Sequence, residues 1–316
     1  MSSNKIPIFF TLLVLSSIIF TCSQEKDINS ISLSIGDLTA TFVNNEAIPP
    51  VHRAGYNGIA RLTHREQDST IFVPLYAGFN LEHIFGSDSL IEVFEPRKHP
   101  MKISQQGPKS IELYQSPTPL SHVESKTIFE LKPPHYIDVD FEFMIRDRSF
   151  FTHGWVGLFW ASYIHEPEDK HIYFWGTAGA ETRPGWIAAF SEKHGYQSTH
   201  LSRDDNHHLY FAENFNPPLL VHNFSNYRFH QPFYYGRFRN MVLIYMFDND
   251  QDIRFSQSPT GGGPLNPAWD FQFIIEPFEI NKVYQFKARI VYKPFMNQLD
   301  VIEEFEKWQQ ALTEES

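Results

Sequence analysis

The chain has 316 residues, of which 42% are hydrophobic and 20% charged, which is typical of a globular protein and excludes a mostly disordered one. Aromatic residues make up 16%, enough to fill a thick core and leave rings for a binding face. The formal net charge of -11 argues against nucleic acid or an anionic membrane surface as the main partner, because both attract clustered Lys and Arg.

The N-terminal residues predict a secretory signal with a lipid anchor. Met1 to Lys5 is basic, residues 6–20 are almost wholly apolar, and a polar, acidic stretch follows Cys22. The apolar run is shorter than a comfortable membrane span, which favours a signal peptide. Residues 19–22 resemble a bacterial lipobox. The resemblance implies cleavage before Cys22, lipidation of its thiol and attachment in the bacterial cell envelope, with the outer membrane favoured. The alternative is a cleaved soluble signal with a stray cysteine.

We assign residues 1–21 to the signal peptide and 22–30 to a polar tether, and we predict one domain over residues 31–316. Apolar and acidic residues alternate strictly over residues 136–143, which indicates a strand with one buried face. The acids of that strand lie in a row and do not converge, so a solvated face is favoured over a metal site.

Other patterns fix the predicted fold class. Residues 241–247 form a continuous apolar run, as expected for a strand buried on both faces, and apolar residues recur at helical spacing over residues 299–312. Further short strands are predicted at residues 31–35, 38–43, 70–76, 81–85, 156–164, 172–175, 186–190, 209–211, 219–222 and 282–292. The prediction is an all-β, mainly antiparallel fold: a large two-sheet β-sandwich with one C-terminal helix.

Two segments mix aromatic and polar side chains in a way that favours a contact surface. The glycine-punctuated segment 52–64 supplies His52, Arg53 and Tyr56 as candidates. The segment 222–239 supplies His222, Tyr234, Tyr235 and Arg237. Aromatic rings stack on sugar C–H faces, and arginine forks bind carboxylates such as those of uronates. The alternative is an aromatic-rich strand pair with exposed arginines.

The chain contains 15 histidines, and six of them fall between residues 194 and 230. Imidazole is a common metal ligand, but no pair has the spacing that would localise a metal site. The familiar phosphate-loop, nucleophile-elbow and zinc-helix motifs are absent from the sequence, so neither a cofactor nor a metal is predicted. His200 stays a candidate sugar contact or acid.

A loop with three glycines and three prolines joins two strand-like runs over residues 253–277. Glycine permits close backbone approach and proline stiffens a segment, so the loop is expected to be shaped by what it contacts. On the exit strand, Trp269 lies on the aromatic face, and three polar residues share the other face. These are Asp270, Gln272 and Glu276, which would line a sugar-sized site, with Arg254 on the entry strand. The alternative is a loop beside a solvated strand face.

Glu276-Pro277, the turn at residues 279–282 and the aromatic strand at residues 283–292 resemble the C-terminal segment of aldose 1-epimerases and other galactose mutarotase-like β-sandwich proteins. The resemblance implies a sandwich fold and a carbohydrate ligand, and it gives Glu276 the position of the family's catalytic base. Phe278 stands where the family has glutamine, and the family's histidine motif is not found in the chain. The same sandwich occurs in polysaccharide lyases and sugar-binding modules, so fold alone does not settle function.

The sequence thus predicts an envelope lipoprotein that binds a carbohydrate and processes it by mutarotase-like or lyase-like chemistry. The expected roles are general base for Glu276, acid for His222 or His200, anchor for Arg237 or Arg254 and, in a lyase, proton abstraction by Tyr234 or Tyr235. A non-catalytic glycan-binding lipoprotein is the main alternative. A structural envelope lipoprotein without a ligand is a further one.

Overall fold

A computed structural model describes residues 28–87, 92–211 and 223–315. The predicted signal peptide, Cys22 and most of the tether lie outside these residues. So do His222 and the strand predicted at residues 219–222. No helix in the described part of the chain is long and apolar enough to cross a membrane.

Strands dominate the described chain. In chain order they are β1 (Ser30–Ile35), β2 (Leu38–Val43), β3 (Gly58–His64), β4 (Asn80–Phe85), β5 (Lys102–Gly107), β6 (Ser110–Gln115), β7 (Val123–Lys132), β8 (Tyr136–Ile145), β9 (Val156–Ala161), β10 (Ile172–Ala178), β11 (Gly185–Ala189), β12 (Thr199–Ser202), β13 (Phe224–Phe229), β14 (Phe233–Phe238), β15 (Met241–Phe247), β16 (Ile253–Ser258), β17 (Ala268–Ile275) and β18 (Tyr284–Pro294). The helices are α1 (Glu95–Lys98), a single turn between β4 and β5, and α2 (Gln298–Glu315) at the C-terminus.

Two sheets form the framework. β1, β2 and β3 make a small sheet, and the remaining strands join one long sheet in the order β4-β9-β17-β16-β12-β13-β10-β14-β15-β18-β8-β7-β6-β5, with β11 paired to β10. All described pairings between named strands are antiparallel except that of β12 with β13. The long sheet folds over on itself. Trp160 of β9 and Phe271 of β17 stack at 4.8 Å, and Phe286 of β18 meets them edge-on at 5.4 and 5.7 Å. The predicted all-β sandwich is confirmed.

The alternation predicted for β8 is confirmed. Its apolar side chains, such as Val139, are buried in the sandwich core. On the other face, Asp138 accepts a hydrogen bond from Arg289 Nη2 at 2.8 Å, and Glu142 lies 2.7 Å from Lys126 Nζ. Acids in a row are thus matched with basic groups on neighbouring strands, as expected of a partly solvated face.

The predicted C-terminal helix is confirmed as α2. Its apolar residues, among them Phe305 and Trp308, pack against the outer face of β15. The Asn297 side-chain oxygen accepts hydrogen bonds from the backbone amides of Leu299 and Asp300, at 2.9 and 3.1 Å. This capping satisfies amides that have no partner within the helix.

Two predicted strands are wrong. Residues 70–76 make only isolated bridges, because Pro74 has no amide hydrogen and Leu75 has a φ of 75°, outside the β region. Residues 209–211 pair with no strand. Instead Leu209 and Phe211 pack against an apolar cluster that includes residues of β9.

Candidate functional site

A β-bulge in β4 gathers polar side chains onto one face of the long sheet. Leu81 pairs with Trp160 and His83 pairs with Phe159, so Glu82 is an extra residue in its strand. In a regular strand, Glu82 and His83 would point to opposite faces. The bulge lets them lie together. We call the group formed by Asn80, Glu82, His83, Arg97 of α1 and Tyr163 the Glu82 cluster.

Four side chains surround the Glu82 carboxylate. Asn80 Nδ2 and Arg97 Nη1 donate to Oε2 at 3.0 and 3.2 Å, and the Tyr163 hydroxyl donates to the same oxygen. His83 Nε2 lies 3.1 Å from Oε1. Burial by itself would raise the pKa of Glu82. The hydrogen bond and charge of His83, followed by the charge of Arg97, outweigh it and hold that pKa below its usual value. The carboxylate is therefore ionised at neutral pH.

His83 places an exchangeable proton beside Glu82. Its Nδ1 lies 3.0 Å from the carbonyl oxygen of Val93, which can only accept, so Nδ1 donates. Its Nε2 faces the carboxylate of Glu82, a second acceptor, and needs a hydrogen as well. A hydrogen between Nε2 and the Glu82 carboxylate can therefore be held by either group.

Tyr163 joins the carboxylate to a group of aromatic rings. Burial, and then the charge of Glu82, raise the pKa of Tyr163 well above its usual value, so its hydroxyl stays protonated. The Tyr163 ring centroid lies 5.6 Å from that of Tyr56 and 5.1 Å from that of Tyr76, and the latter two lie 4.7 Å apart. Tyr56 and Tyr163 are buried, and Tyr76 is partly exposed, so this group of rings reaches the protein surface through Tyr76.

Two guanidinium groups lie against these tyrosines. Arg97 Cζ is 4.0 Å from the Tyr56 ring centroid, and Arg53 Cζ is 5.0 Å from that of Tyr76 and 5.8 Å from that of Tyr56. Arg53 Nη1 donates to the Tyr76 hydroxyl at 2.7 Å, and Arg97 Nε donates to the Gly55 carbonyl at 2.9 Å. Both cations are thus held in fixed positions.

A cleft of about 550 Å³ has Arg97 in its wall. Its lining also includes Gly55, Phe94, Asn45 and Lys98. A volume of this size is within the range of small-molecule sites. The cleft therefore offers space for a ligand next to the Glu82 cluster.

The glycine-rich loop contacts this cluster closely. A Cβ atom on Gly261 would lie 3.0 Å from the ring of Tyr163 and 2.6 Å from the Cβ of Ala268, which leaves no room for a side chain. Asn266 Nδ2 donates to the Gly262 carbonyl at 2.8 Å and closes the loop. The loop thus supports one side of the Tyr163 ring, a close approach that only glycine permits.

Arg53 and Tyr56, both predicted from segment 52–64, lie beside the Glu82 cluster. His52 supports that segment from inside, because its Nε2 lies 2.6 Å from the Tyr56 carbonyl oxygen. Burial lowers the pKa of His52 in spite of its backbone hydrogen bonds, so the ring is neutral at pH 7. Their predicted role as sugar contacts stays a prediction.

Asp270, Gln272 and Arg254 are all buried, and each has a partner within the protein. Asp270 accepts a hydrogen bond from the backbone amide of Ser162 at 3.1 Å, Gln272 donates to a serine hydroxyl of β16 at 2.6 Å, and Arg254 Nε donates to Asp205 at 2.7 Å. Burial raises the pKa of Asp270 well above its usual value. A role of these residues in binding sugar stays a prediction.

Asp205 belongs to a segment, residues 203–211, that an ion network holds against the sheet. His207 Nδ1 lies 3.3 Å from Asp205, and His207 Nε2 lies 3.3 Å from Asp252. Burial would lower the pKa of His207, but its hydrogen bonds with Asp205 and Asp252 raise it to about 9. The histidine is therefore charged at neutral pH and bridges two carboxylates.

Glu276 is half-buried at the end of β17, where its carboxylate accepts a hydrogen bond from the backbone amide of His208 at 2.6 Å. The last residue pair of β17 with β9 is Ile275 with Val156, whereas Glu82 lies beside the pair of Leu81 and Trp160. Glu276 and Glu82 thus occupy different places on the sheet. The general-base role of Glu276 stays a prediction.

Three other candidates lie inside the sandwich. Burial, and then the charge of Arg228, lower the pKa of His200 to about 3, so its ring is neutral. Tyr234 is fully buried, and its hydroxyl has no hydrogen-bond partner among the described residues. The indole of Trp269 packs onto Gly236, where a Cβ atom would lie 2.3 Å away.

Tyr235 and Arg237 lie on the face of β14 that α2 covers. The Tyr235 hydroxyl accepts a hydrogen bond from Gln298 at 3.1 Å, and the exposed Arg237 lies over the ring of Phe295 at 4.5 Å. The structure does not bring them to the Glu82 cluster. The catalytic and binding roles predicted for these residues of β12, β14 and β17 stay predictions.

One group of potential metal ligands converges among the described residues: Asp37, His64 and His135, whose ligand atoms lie within 4.8 Å of one another. His64 argues against a metal there. Its Nδ1 accepts a hydrogen bond from the backbone amide of Glu66 at 3.1 Å, so the neutral ring carries its hydrogen on Nε2, the atom that faces Asp37. A metal at Nε2 would need that lone pair free.

The sequence analysis missed Glu82, His83, Arg97 and Tyr163. One signal was present: an acid and a histidine adjacent within the apolar run of residues 81–85. Strict alternation would separate these two side chains, and only the bulge, a feature of pairing with β9, brings them together. Tyr163 lies within the apolar strand predicted at residues 156–164, where nothing in the sequence marks it as a site residue.

No protein-family model matches the sequence, and a comparison with curated proteins finds no significant match. Among solved structures, a putative aldose 1-epimerase from Escherichia coli K12 aligns over 84% of this chain and 99% of its own, with 8% identity and a TM-score of 0.46. An aldose epimerase homologue from C. elegans aligns over 84% and 99%, with 7% identity and a TM-score of 0.47.

A heparan sulfate lyase from Pedobacter heparinus aligns over 86% of this chain and 37% of its own, with 10% identity and a TM-score of 0.40. Aldose 1-epimerase homologues are thus among the structures that this chain resembles. Likeness at this level does not extend to activity, so the functional argument rests on the residues of this chain.

Proposed function

We propose that this protein binds a carbohydrate in the cleft beside the Glu82 cluster and processes it by proton transfer. The observation that carries the proposal is the environment of Glu82. One buried, ionised carboxylate holds a tyrosine hydroxyl, an imidazole and a guanidinium, and that guanidinium forms part of the wall of a cleft. Charged hydrogen-bonding groups next to aromatic rings suit a ligand that has both hydroxyl groups and C–H faces.

Each part of the cluster has a role in this proposal. Tyr76, which is partly exposed, offers aromatic surface to a sugar ring, and Arg97 orients the sugar through its remaining N–H groups. The protonated hydroxyl of Tyr163 is the acid. Tyr163 then regains a proton from the pair formed by Glu82 and His83, and this pair takes up the proton that the substrate loses, so that no net proton is consumed. Mutarotase-like ring opening and lyase-like elimination both require a proton exchange of this kind.

A non-catalytic glycan-binding protein is the second candidate, and a specific observation favours it. Four side chains already surround the Glu82 carboxylate, and the residue as a whole is only 6% exposed, so few acceptor positions are free for a substrate. In that case Glu82 only positions Arg97 and Tyr163 for binding.

The deciding experiment is a glycan panel assayed for binding and for product release, with wild type, Tyr163→Phe and Tyr196→Phe. Tyr196 is 56% exposed and serves as the matched control. If the protein is an enzyme, Tyr163→Phe lowers turnover by about 10²-fold or more, while binding stays within a few-fold and the control is unchanged. Binding without product release in all three proteins supports the second candidate. Absence of binding to every glycan contradicts the proposal.

We also propose that the protein is anchored in a bacterial envelope membrane through Cys22. The support is the sequence pattern of the N-terminal residues. Metabolic labelling with a radioactive fatty acid tests it, with wild type and Cys22→Ser expressed in a bacterial host. Wild type should be labelled and sediment with membranes, and the variant should be unlabelled. An unlabelled wild type would contradict the anchor.

A further inference from the structure

The charges beside the three tyrosines bear on the kind of sugar that the cleft takes. Tyr56 has two guanidinium groups within cation–π distance, those of Arg97 and Arg53. Like charges held near one ring repel each other unless anions neutralise them. Glu82 neutralises Arg97, with Nη1 to Oε2 at 3.2 Å.

Arg53 lacks such an anion. Its hydrogen bond goes to the neutral hydroxyl of Tyr76 at 2.7 Å, and within the described residues no carboxylate lies at ion-pair distance from it. Its guanidinium is exposed at the surface and held in place by that hydrogen bond and by the rings of Tyr56 and Tyr76. A guanidinium fixed in this way presents its remaining N–H groups in a geometry that matches a carboxylate or a sulfate.

The other charged residues around the cleft also favour an anionic ligand. Ala54 and Gly55, which follow Arg53 in the chain, line the cleft together with Arg97 and Lys98. The ammonium of Lys98 is paired with Glu92 at 2.6 Å, and among the described residues Glu46 is the one acid in the lining. The chain has a formal net charge of -11, and yet no acidic residue in its described part pairs with Arg53.

We propose that the ligand of this site is an anionic carbohydrate, whose carboxylate or sulfate group pairs with Arg53 while its sugar ring lies against the cleft wall formed by Arg97. The inference rests on the proposed function, because it specifies the ligand of the same site. A neutral sugar would leave Arg53 with the hydroxyl of Tyr76 alone. An anionic one makes a charge-assisted pair in addition.

Matched ligand pairs test this inference. The first pair is an oligogalacturonate and its methyl ester, and the second is a chondroitin sulfate oligosaccharide and its desulfated form. Each is titrated into wild type, Arg53→Gln and Arg53→Lys, with Arg203→Gln as control, since Arg203 is an exposed arginine paired with Asp204 at 3.0 Å. Melting temperatures of all variants check that they fold.

In at least one pair, wild type should bind the anionic member about tenfold or more tightly than its neutral partner, with an affinity that falls as salt rises. Arg53→Gln should remove most of that preference and leave affinity for the neutral member unchanged. Arg53→Lys should restore part of it, and Arg203→Gln should behave as wild type.

The pair that shows the preference identifies the anion as carboxylate or sulfate. Equal binding of both members of both pairs overturns the inference and leaves carbohydrate binding standing. So does a preference that survives Arg53→Gln. If no glycan on the panel binds, the proposed function fails and this inference fails with it.

Discussion

Replacing Glu82 by glutamine tests whether the Glu82 carboxylate holds its cluster together as an anion. The substitution keeps the size of the side chain but removes its charge, and it turns one acceptor oxygen into an NH₂ group that faces donors. Two of the four partners are the cationic guanidinium of Arg97 and the imidazole of His83. A hydrogen bond to a charged group contributes about 1.5–3 kcal/mol, and breaking a buried ion pair costs about 3–5 kcal/mol. We expect Glu82→Gln to lower the free energy of unfolding by about 3–5 kcal/mol at pH 7.

The pH dependence of this loss follows from the lowered pKa of Glu82 in the folded protein. A carboxyl whose pKa is lower in the folded than in the unfolded state stabilises the fold above its unfolded pKa of about 4.3, and this contribution disappears as the pH falls through the folded value. The difference in stability between wild type and Glu82→Gln should therefore be full at pH 7 and shrink below about pH 4.

Urea unfolding from pH 7 to pH 3 measures both quantities, with Glu303→Gln as the control because Glu303 is exposed on α2. The control should change stability by less than about 0.5 kcal/mol. A Glu82→Gln protein as stable as wild type at pH 7 would refute the reasoning. So would a difference that stays constant down to pH 3, since the carboxylate would then not be stabilised as an anion.

Other predictions concern the loop and the ion network. Gly261→Ala should push the Tyr163 ring away from the loop, because the new Cβ atom has no room. We expect it to lower the free energy of unfolding by about 1–3 kcal/mol and to weaken glycan binding. Unchanged binding would show that the loop does not position Tyr163. Asp205→Asn should destabilise the protein by about 3–5 kcal/mol in thermal or urea unfolding, because it breaks the buried ion pair between Asp205 and Arg254. A loss below about 1 kcal/mol would contradict this. His207 has a folded pKa of about 9, so its contribution to stability should be fully present below about pH 6.5 and be lost as the pH rises through about 9. The difference in unfolding free energy between wild type and His207→Gln should therefore shrink over this pH range. A difference that stays constant would contradict the prediction.

Much of the fold could be predicted from the sequence, because the spacing of apolar residues along a segment indicates which of its side chains are buried. The alternation of β8, the continuous apolar run of β15 and the helical spacing of α2 each report burial directly. The order of strands in the long sheet could not be predicted, because neighbours such as β9 and β17 are far apart in the chain. The predicted strand at residues 70–76 failed because one residue with positive φ, Leu75, overrides an apolar pattern.

The candidate site was predictable only in part. Arg53 and Tyr56 were found because their segment mixes aromatic and charged residues between glycines. Glu82 and His83 were not, because the bulge that brings them together exists only once β4 is paired with β9. Glycines 261–263 were correctly taken as a sign of close approach. The residue that the loop contacts, Tyr163, lies about a hundred positions earlier in the chain, and local sequence patterns do not reveal contacts between such distant residues.

The most direct test of the proposed function is a crystal structure of the protein with the glycan that binds most tightly. The sugar is expected in the cleft, against Arg97, with its anionic group within hydrogen-bond distance of Arg53. A sugar bound instead beside Glu276, or on the α2 face near Arg237, with the cleft unoccupied, would contradict the account.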